Sequence, residues 1–451
     1  MTIRQNFLNR VLVWNLLKDL FVSNFFGLIG IAVILGIAFL MSNNRKAINW
    51  RLVITGLVIQ IFLAIFVLKI PFGQKLFGYV GTGVEKILKY ALEGGSFVFG
   101  SLVNQKLLSD VFGTGQGYIL AFQLTASIIF IAVLVNIAYH IGLMQKIVAI
   151  VAKVVHRVMG VSGSEALSNV SSAFVGQVEA QILIKPYVPG MTMSELLASM
   201  TGSMACIAGG VMAIYISMGI PAHYLLAASI MAAPGALVIS KIVWPETEES
   251  QTKDNVKLEI KKTHVNLIDA IAHGASDGMR ISISVVAMLI GFLALIAMLN
   301  ALVGFTGARL ASIGLTGFMG MDFHHLGIKD LLGSVFSVFA WLMGVPWHDA
   351  NVVGSMLGTK MVFNEFVAYM DLASIIKGTS HIILAPKSII ITSFALCGFA
   401  NLGSIAIQVG GIGELAPSRR KDLARLGVKA LICGTMASYM SATIAGILSS
   451  F

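Results

Sequence analysis

Eight long stretches of this chain carry no charged side chain: 21–44, 52–68, 111–139, 196–240, 281–308, 331–347, 388–413 and 430–451. A helix needs about 20 apolar residues to cross the hydrocarbon core of a bilayer. The run at 196–240 is long enough for two such helices, and Gly219-Ile220-Pro221 is its natural turn. The pattern predicts eight spans, at 21–42, 52–70, 118–141, 196–218, 222–243, 280–304, 385–410 and 428–449. Residues 74–93 differ. Leu76, Val80, Val84, Ile87, Leu88 and Ala91 share one face, and Lys75, Glu85, Lys86, Lys89 and Glu93 surround the other, the pattern of a helix lying in the membrane interface.

Composition agrees with an all-α polytopic membrane protein. Hydrophobic residues make up 57% of the chain, charged residues 12%, and the mean hydropathy is +0.87, which excludes a soluble enzyme. The net charge of +10 is not a nucleic-acid footprint, because the basic residues flank apolar spans instead of forming a stripe. They cluster at Arg45-Lys46 with Arg51, at Lys146, Lys153 and Arg157, at Lys253 to Lys262, and at Arg419 to Lys429. With eight spans all four clusters fall on one side, expected to be cytoplasmic, so both termini face outward. Arg4, Arg10 and Lys18 dissent, and residues 1–20 are expected to form a surface-lying amphipathic segment. Cys206, Cys397 and Cys433 all lie in apolar spans and suggest no disulfide framework.

The chemistry lies in two interrupted segments. In the first half, Gly160 to Glu165 leads into about ten apolar residues, a polar break at 176–179 and a return ending at Lys185-Pro186. Ten helical residues reach only about 15 Å, half the hydrocarbon thickness, so this is a re-entrant hairpin. The next span contains Ala208-Gly209-Gly210, which permits an unwound middle. In the second half, an apolar limb from Leu331 turns at Val345-Pro346-Trp347 and reaches Asn364-Glu365, and the later span is broken at Gly398 to Ser404. Carboxylates at membrane depth, Glu179 and Glu365, are costly and mark function. Paired broken segments in two inverted halves mark a secondary transporter's midplane site.

Three of these segments carry a specific resemblance. Gly176-Gln177-Val178-Glu179, Asn364-Glu365-Phe366-Val367-Ala368-Tyr369 and Gly398-Phe399-Ala400-Asn401-Leu402-Gly403-Ser404-Ile405 resemble the signatures of the concentrative nucleoside transporter family, in family order. The resemblance implies a homotrimer in a bacterial inner membrane, importing a uridine-like nucleoside with a downhill cation by an elevator mechanism, and no other cofactor. It implies scaffold helices at 21–158, a first transport half at 159–244, a cytoplasmic linker at 245–278, a scaffold helix and loop at 279–328, and a second transport half at 329–451. Gln177 is then expected to bond the nucleobase, with Glu179 acting through water. Glu365, Asn401 and Ser404 would hold the ribose hydroxyls, and Phe399 would pack near the base. Val178 stands where the family usually has a threonine or serine, which leaves base preference open.

The cation site departs further from the sodium-coupled pattern. Ser172 and Cys206 stand where sodium-coupled members have asparagine and serine, beside the carbonyls of Val175 and Ile207. A thiol is a poor ligand for a hard cation, and a buried carboxylate can carry a proton, so proton coupling is expected over sodium. Two other classes are weighed against this. A metal-dependent membrane enzyme would need His324, His325, His348 and Asp349 to form a site, and their spacing fits no zinc motif. A channel would need charged or carbonyl rings instead of discrete pockets.

Overall fold

The computed structural model describes residues 26–112, 119–174, 176–253, 265–315, 317–318 and 321–449. The expected amphipathic segment at 1–20 lies outside the described residues. The described chain is helical apart from one antiparallel pair of two-residue strands, β1 (Gly317–Phe318) and β2 (Met321–Asp322).

Helices α1 (Phe26–Leu40) and α2 (Trp50–Leu68) come first. The expected interfacial helix is longer than the pattern indicated, spanning α3 (Pro71–Phe99). Its packed side runs through Gly81, Leu88, Ala91 and Gly95, with Leu76 and Val80 exposed. Next come α4 (Gln105–Phe112), α5 (Leu120–His140) and α6 (Leu143–Met159).

The first hairpin follows as α7 (Gly163–Ser172) and the single turn α8 (Glu179–Ile182). Ser162 opens α7 with a reciprocal cap: its hydroxyl accepts from the Glu165 amide, and the Glu165 carboxylate accepts from the Ser162 amide at 2.9 Å. The expected broken span is α9 (Met193–Ala205) and α10 (Gly209–Ser217), unwound at Cys206 to Ala208. Then come α11 (Ala222–Val243) and the 46-residue α12 (Leu267–Ser312).

The start of α12 corrects the linker expected at 245–278, since residues 267–278 are helical. Asn266 caps the helix by accepting from the Asp269 amide at 2.9 Å. Gly274 and Gly278 let α12 lie directly on the α5 backbone. A Cβ at Gly278 would fall 2.5 Å from the Cα of Ile129.

The second hairpin is α13 (Ile328–Leu342) and α14 (Trp347–Val362), which continues after a break as α15 (Glu365–Ile376). The 117° bend between α13 and α14 makes them a re-entrant pair. The last elements are α16 (Pro386–Leu396), α17 (Leu402–Leu415) and α18 (Arg420–Ser449). The span expected at 385–410 is thus split into α16 and α17.

Burial follows this order. Helices α9, α11 and α18 form the centre, whereas α12 is largely exposed, with Ile283, Ile290, Leu302 and Phe305 facing outward. Helix α2 packs chiefly on α11 and α18, and α5 on α12. At one end the buried Lys241 of α11 pairs with Glu165 of α7, donates to Ser194 Oγ at 2.8 Å, and reaches Glu246 at 3.4 Å.

Candidate substrate site where the broken helices meet

Two helix breaks cross at the middle of the molecule. Gly398, between α16 and α17, has φ +122°, a conformation only glycine adopts freely, and a Cβ there would lie 2.5 Å from the carbonyl oxygen of Ala205 at the end of α9. The Ser438 hydroxyl of α18 lies 2.8 Å from the Cys397 carbonyl and 3.4 Å from the Ala205 carbonyl, so one side chain braces both breaks.

Glu365 is the first residue of α15, and Asn364 caps that helix by accepting from the Val367 amide at 3.0 Å. Asn401 caps α17 in the same way, its Oδ1 accepting from the Ser404 amide at 2.9 Å. The breaks before α15 and before α17 thus each begin a new helix whose positive end favours negative charge. The buried Glu365 carboxylate accepts from Asn401 Nδ2 at 3.0 Å on one oxygen and from Tyr215 Oη at 3.1 Å on the other. Tyr215 of α10 stacks on Tyr369 at 4.3 Å, and the Tyr369 hydroxyl donates to the Ser393 carbonyl at 2.8 Å. Both aromatic rings are thereby fixed.

The first hairpin meets this cluster through Gln177. Its Nε2 lies 3.5 Å from Ser404 Oγ, and its Oε1 accepts from Gln408 Nε2 at 3.4 Å. Ser404 Oγ in turn lies 3.2 Å from Asn401 Oδ1. Val178 packs on Gly411 of α17, where a Cβ would come within 2.7 Å of it. Phe399, in the break, is half-buried. Gln177, Asn401, Ser404 and Glu365 thus form one connected polar set at the meeting point of both halves.

Glu179 stands apart from that set. It is exposed, its carboxylate folds over Gly176, where a Cβ would collide with it, and it lies within electrostatic reach of Tyr139 on α5. Sequence reasoning missed Tyr215 and Gln408, because a tyrosine or glutamine in an apolar span reads as packing or an interhelical bond. It also missed Lys360, which is fully buried near the end of α14 and donates to the Ala395 carbonyl of α16 at 2.8 Å.

The expected cation ligands are only partly together. Val175 lies outside the described residues. The Ser172 hydroxyl is 2.8 Å from the Ser168 carbonyl and 3.1 Å from Ser203 Oγ, while the Cys206 thiol turns to the Ser229 carbonyl at 3.6 Å. Ile207 is buried beside it. Gln181 ties the hairpin to α9, donating to Ser203 Oγ at 2.7 Å and accepting from Ser199 Oγ at 2.5 Å. Of the histidines weighed as metal ligands, His348 lies 3.5 Å from Asp349. The Asp349 carboxylate itself accepts from the Ala385 amide and the Ser388 hydroxyl.

Two crossed, broken helices and two re-entrant hairpins around a buried carboxylate define a multi-pass membrane transporter of the secondary class. Family models described as the N-terminus and C-terminus of a Na+ dependent nucleoside transporter match residues 29–102 and 224–446, and a nucleoside recognition Gate model matches 121–222. The chain is 38% identical over 425 residues to the nucleoside permease NupC of Helicobacter pylori, covering 94% of this chain and 98% of the relative. It is 37% identical to the mouse sodium/nucleoside cotransporter 1, covering 93% of this chain and 63% of that longer protein. A solved structure of CNTnw in an inward-facing, substrate-bound state superposes with a TM-score of 0.88 at 41% identity, covering 95% and 98% of the two chains. The chain belongs to the concentrative nucleoside transporter family. It is a transporter and not an enzyme.

Proposed function

We propose that this protein imports nucleosides across a bacterial inner membrane by symport with a proton. The observation that carries the proposal is the Glu365 carboxylate, bonded to Asn401 and Tyr215 where the two helix breaks cross. An ionised acceptor suits paired ribose hydroxyls, which a bound sugar would offer in exchange for these internal donors. Gln177, linked to Ser404 and Gln408, offers both a donor and an acceptor to a base edge such as that of uridine. Phe399 supplies a flat apolar contact, and Val178 leaves that wall without a hydroxyl. Glu179, exposed at the other hairpin, is suited to a contact through water.

Proton coupling is favoured by the chemistry of the cation candidates. The Ser172 hydroxyl is engaged by Ser168 and Ser203, and Cys206 offers sulfur where a hard cation wants oxygen. Sodium coupling is the second reading, favoured by the Na+ dependence in the description of the matching family models.

The elevator motion divides the chain into a fixed and a moving part. We place α5 and α12 in the fixed scaffold, and both hairpins, both broken helices, α11 and α18 in the moving unit. Helices α1 and α2, expected in the scaffold, pack instead on this moving unit: Gly27 lies against Ile447 of α18, and α2 against α11. The outward apolar face of α12 suits a homotrimer contact, and the basic clusters suit a cytoplasmic face.

The test is Glu365→Gln in purified, reconstituted protein. Uptake of labelled uridine is expected to vanish while the folded oligomer is retained; near-normal uptake would refute the assignment.

A further inference from the structure

A buried lysine near a substrate carboxylate is an expensive arrangement inside a membrane. Lys360 is 1% exposed, and its ammonium donates to the Ala395 carbonyl, in the last turn of α16, where the helix dipole is negative. Lys360 and Glu365 lie within Coulombic reach of each other across the Phe363-Asn364 break. The titratable groups around the pair are Tyr215 from α10, Tyr369 from α15 and Cys397 after α16. The only charged residues of α13, which packs along α14, are Lys329 and Asp330, exposed at its first turn. Glu179 on the opposite hairpin is exposed. Among the described residues, the other buried charges, Asp349 at the start of α14 and Glu165, Glu195 and Lys241 of the first half, stand apart from this pair, so Glu365 and Lys360 face each other as one anion and one cation.

We propose that Lys360 is the resident counter-charge of Glu365, which lets the empty transport unit return across the membrane without a bound ion. The proposal rests on Glu365 binding substrate in a cation symporter. In that cycle the loaded unit carries nucleoside plus one coupled cation, and the pair inside it sums to zero. After release the pair remains neutral, so the emptied site itself adds no uncompensated charge to the returning unit. Lys360 touches no substrate in this scheme; it is a positioning residue acting through Glu365 and through the end of α16. Without its charge, the returning unit would carry a bare anion unless Glu365 took a proton from bulk solution.

Lys360→Gln tests this, because glutamine removes the charge and keeps an amide donor on a side chain one atom shorter; Lys360→Arg restores a charge. Two assays in proteoliposomes at zero membrane potential separate the steps. Net uptake of labelled uridine requires empty return, whereas exchange against internal unlabelled uridine does not. For Lys360→Gln, net uptake at alkaline pH is expected to fall at least about tenfold while exchange changes less than about threefold. Acidifying both sides should recover the net flux, and Lys360→Arg should retain it. Parallel loss of both modes at every pH, with a monodisperse protein, would show that the lysine only holds the fold and overturn the proposal. Undiminished net uptake by Lys360→Gln at alkaline pH would overturn it equally. Wild-type protein that performs neither mode would instead contradict the nucleoside reading itself, and this proposal with it.

Discussion

Asn401 serves the site with both ends of its amide: Oδ1 closes the first turn of α17 at 2.9 Å, and Nδ2 holds Glu365 Oε2 at 3.0 Å. One side chain thus sets the start of a half-helix and the orientation of the central carboxylate. Asn401→Asp keeps the cap but sets a second carboxylate against Glu365. It is expected to fold and to lose uridine affinity more than tenfold, measured by scintillation proximity or calorimetry, since like charges at this distance repel strongly. Unchanged affinity would separate Asn401 from the substrate carboxylate.

Tyr215 gives the other oxygen of Glu365 its donor. Tyr215→Phe preserves the stack on Tyr369 and removes one hydrogen bond to a charged group, worth about 1.5–3 kcal/mol. If the bond helps to hold the carboxylate toward the sugar, KM for every nucleoside should rise by similar factors of about 10 to 100. A change confined to one base would move Tyr215 to the base side of the site.

Gln177 and Gln408 form the opposite wall. Gln177→Ala is expected to reorder uridine, cytidine and adenosine in competition assays. Gln408→Ala should do so more weakly, because Gln408 acts by orienting the Gln177 amide and is itself anchored on the Met200 carbonyl at 3.2 Å. Equal loss for all three nucleosides in Gln177→Ala would assign that residue to the sugar.

The buried ion pair of Lys241 and Glu165 is predicted to matter for stability rather than substrate choice. Lys241→Met leaves Glu165 buried without its cation, a loss of about 3–5 kcal/mol. Heating followed by size-exclusion should show a markedly lower melting point, with the ranking of nucleosides unchanged in protein that survives.

Much of this site was legible because polar residues inside apolar runs have few uses. Glu365 stood out for that reason, whereas Gln177, Asn401 and Ser404 were expected only through the family resemblance, and the structure brings all four together. Glu179 stood out equally, yet it folds over Gly176 and faces open space. Lys360 escaped notice because a lysine near the end of an apolar limb reads as one that snorkels to the interface; only the crossing of α14 and α16 encloses it. Helix α12 began earlier than hydropathy indicates because Asn266 caps it and its glycines pack on α5, neither of which depends on an apolar run. The two-residue strands carried no periodic signal at all.

The central claim, nucleoside import driven by a proton, is tested most directly by labelled uridine uptake into proteoliposomes with imposed gradients. An inward proton gradient in choline buffer should drive concentrative uptake, and Ser172→Asn with Cys206→Ser should add sodium dependence. Uptake that collapses in choline and saturates with sodium at fixed pH would contradict the proton assignment, and absence of uridine uptake under every gradient would contradict the account as a whole.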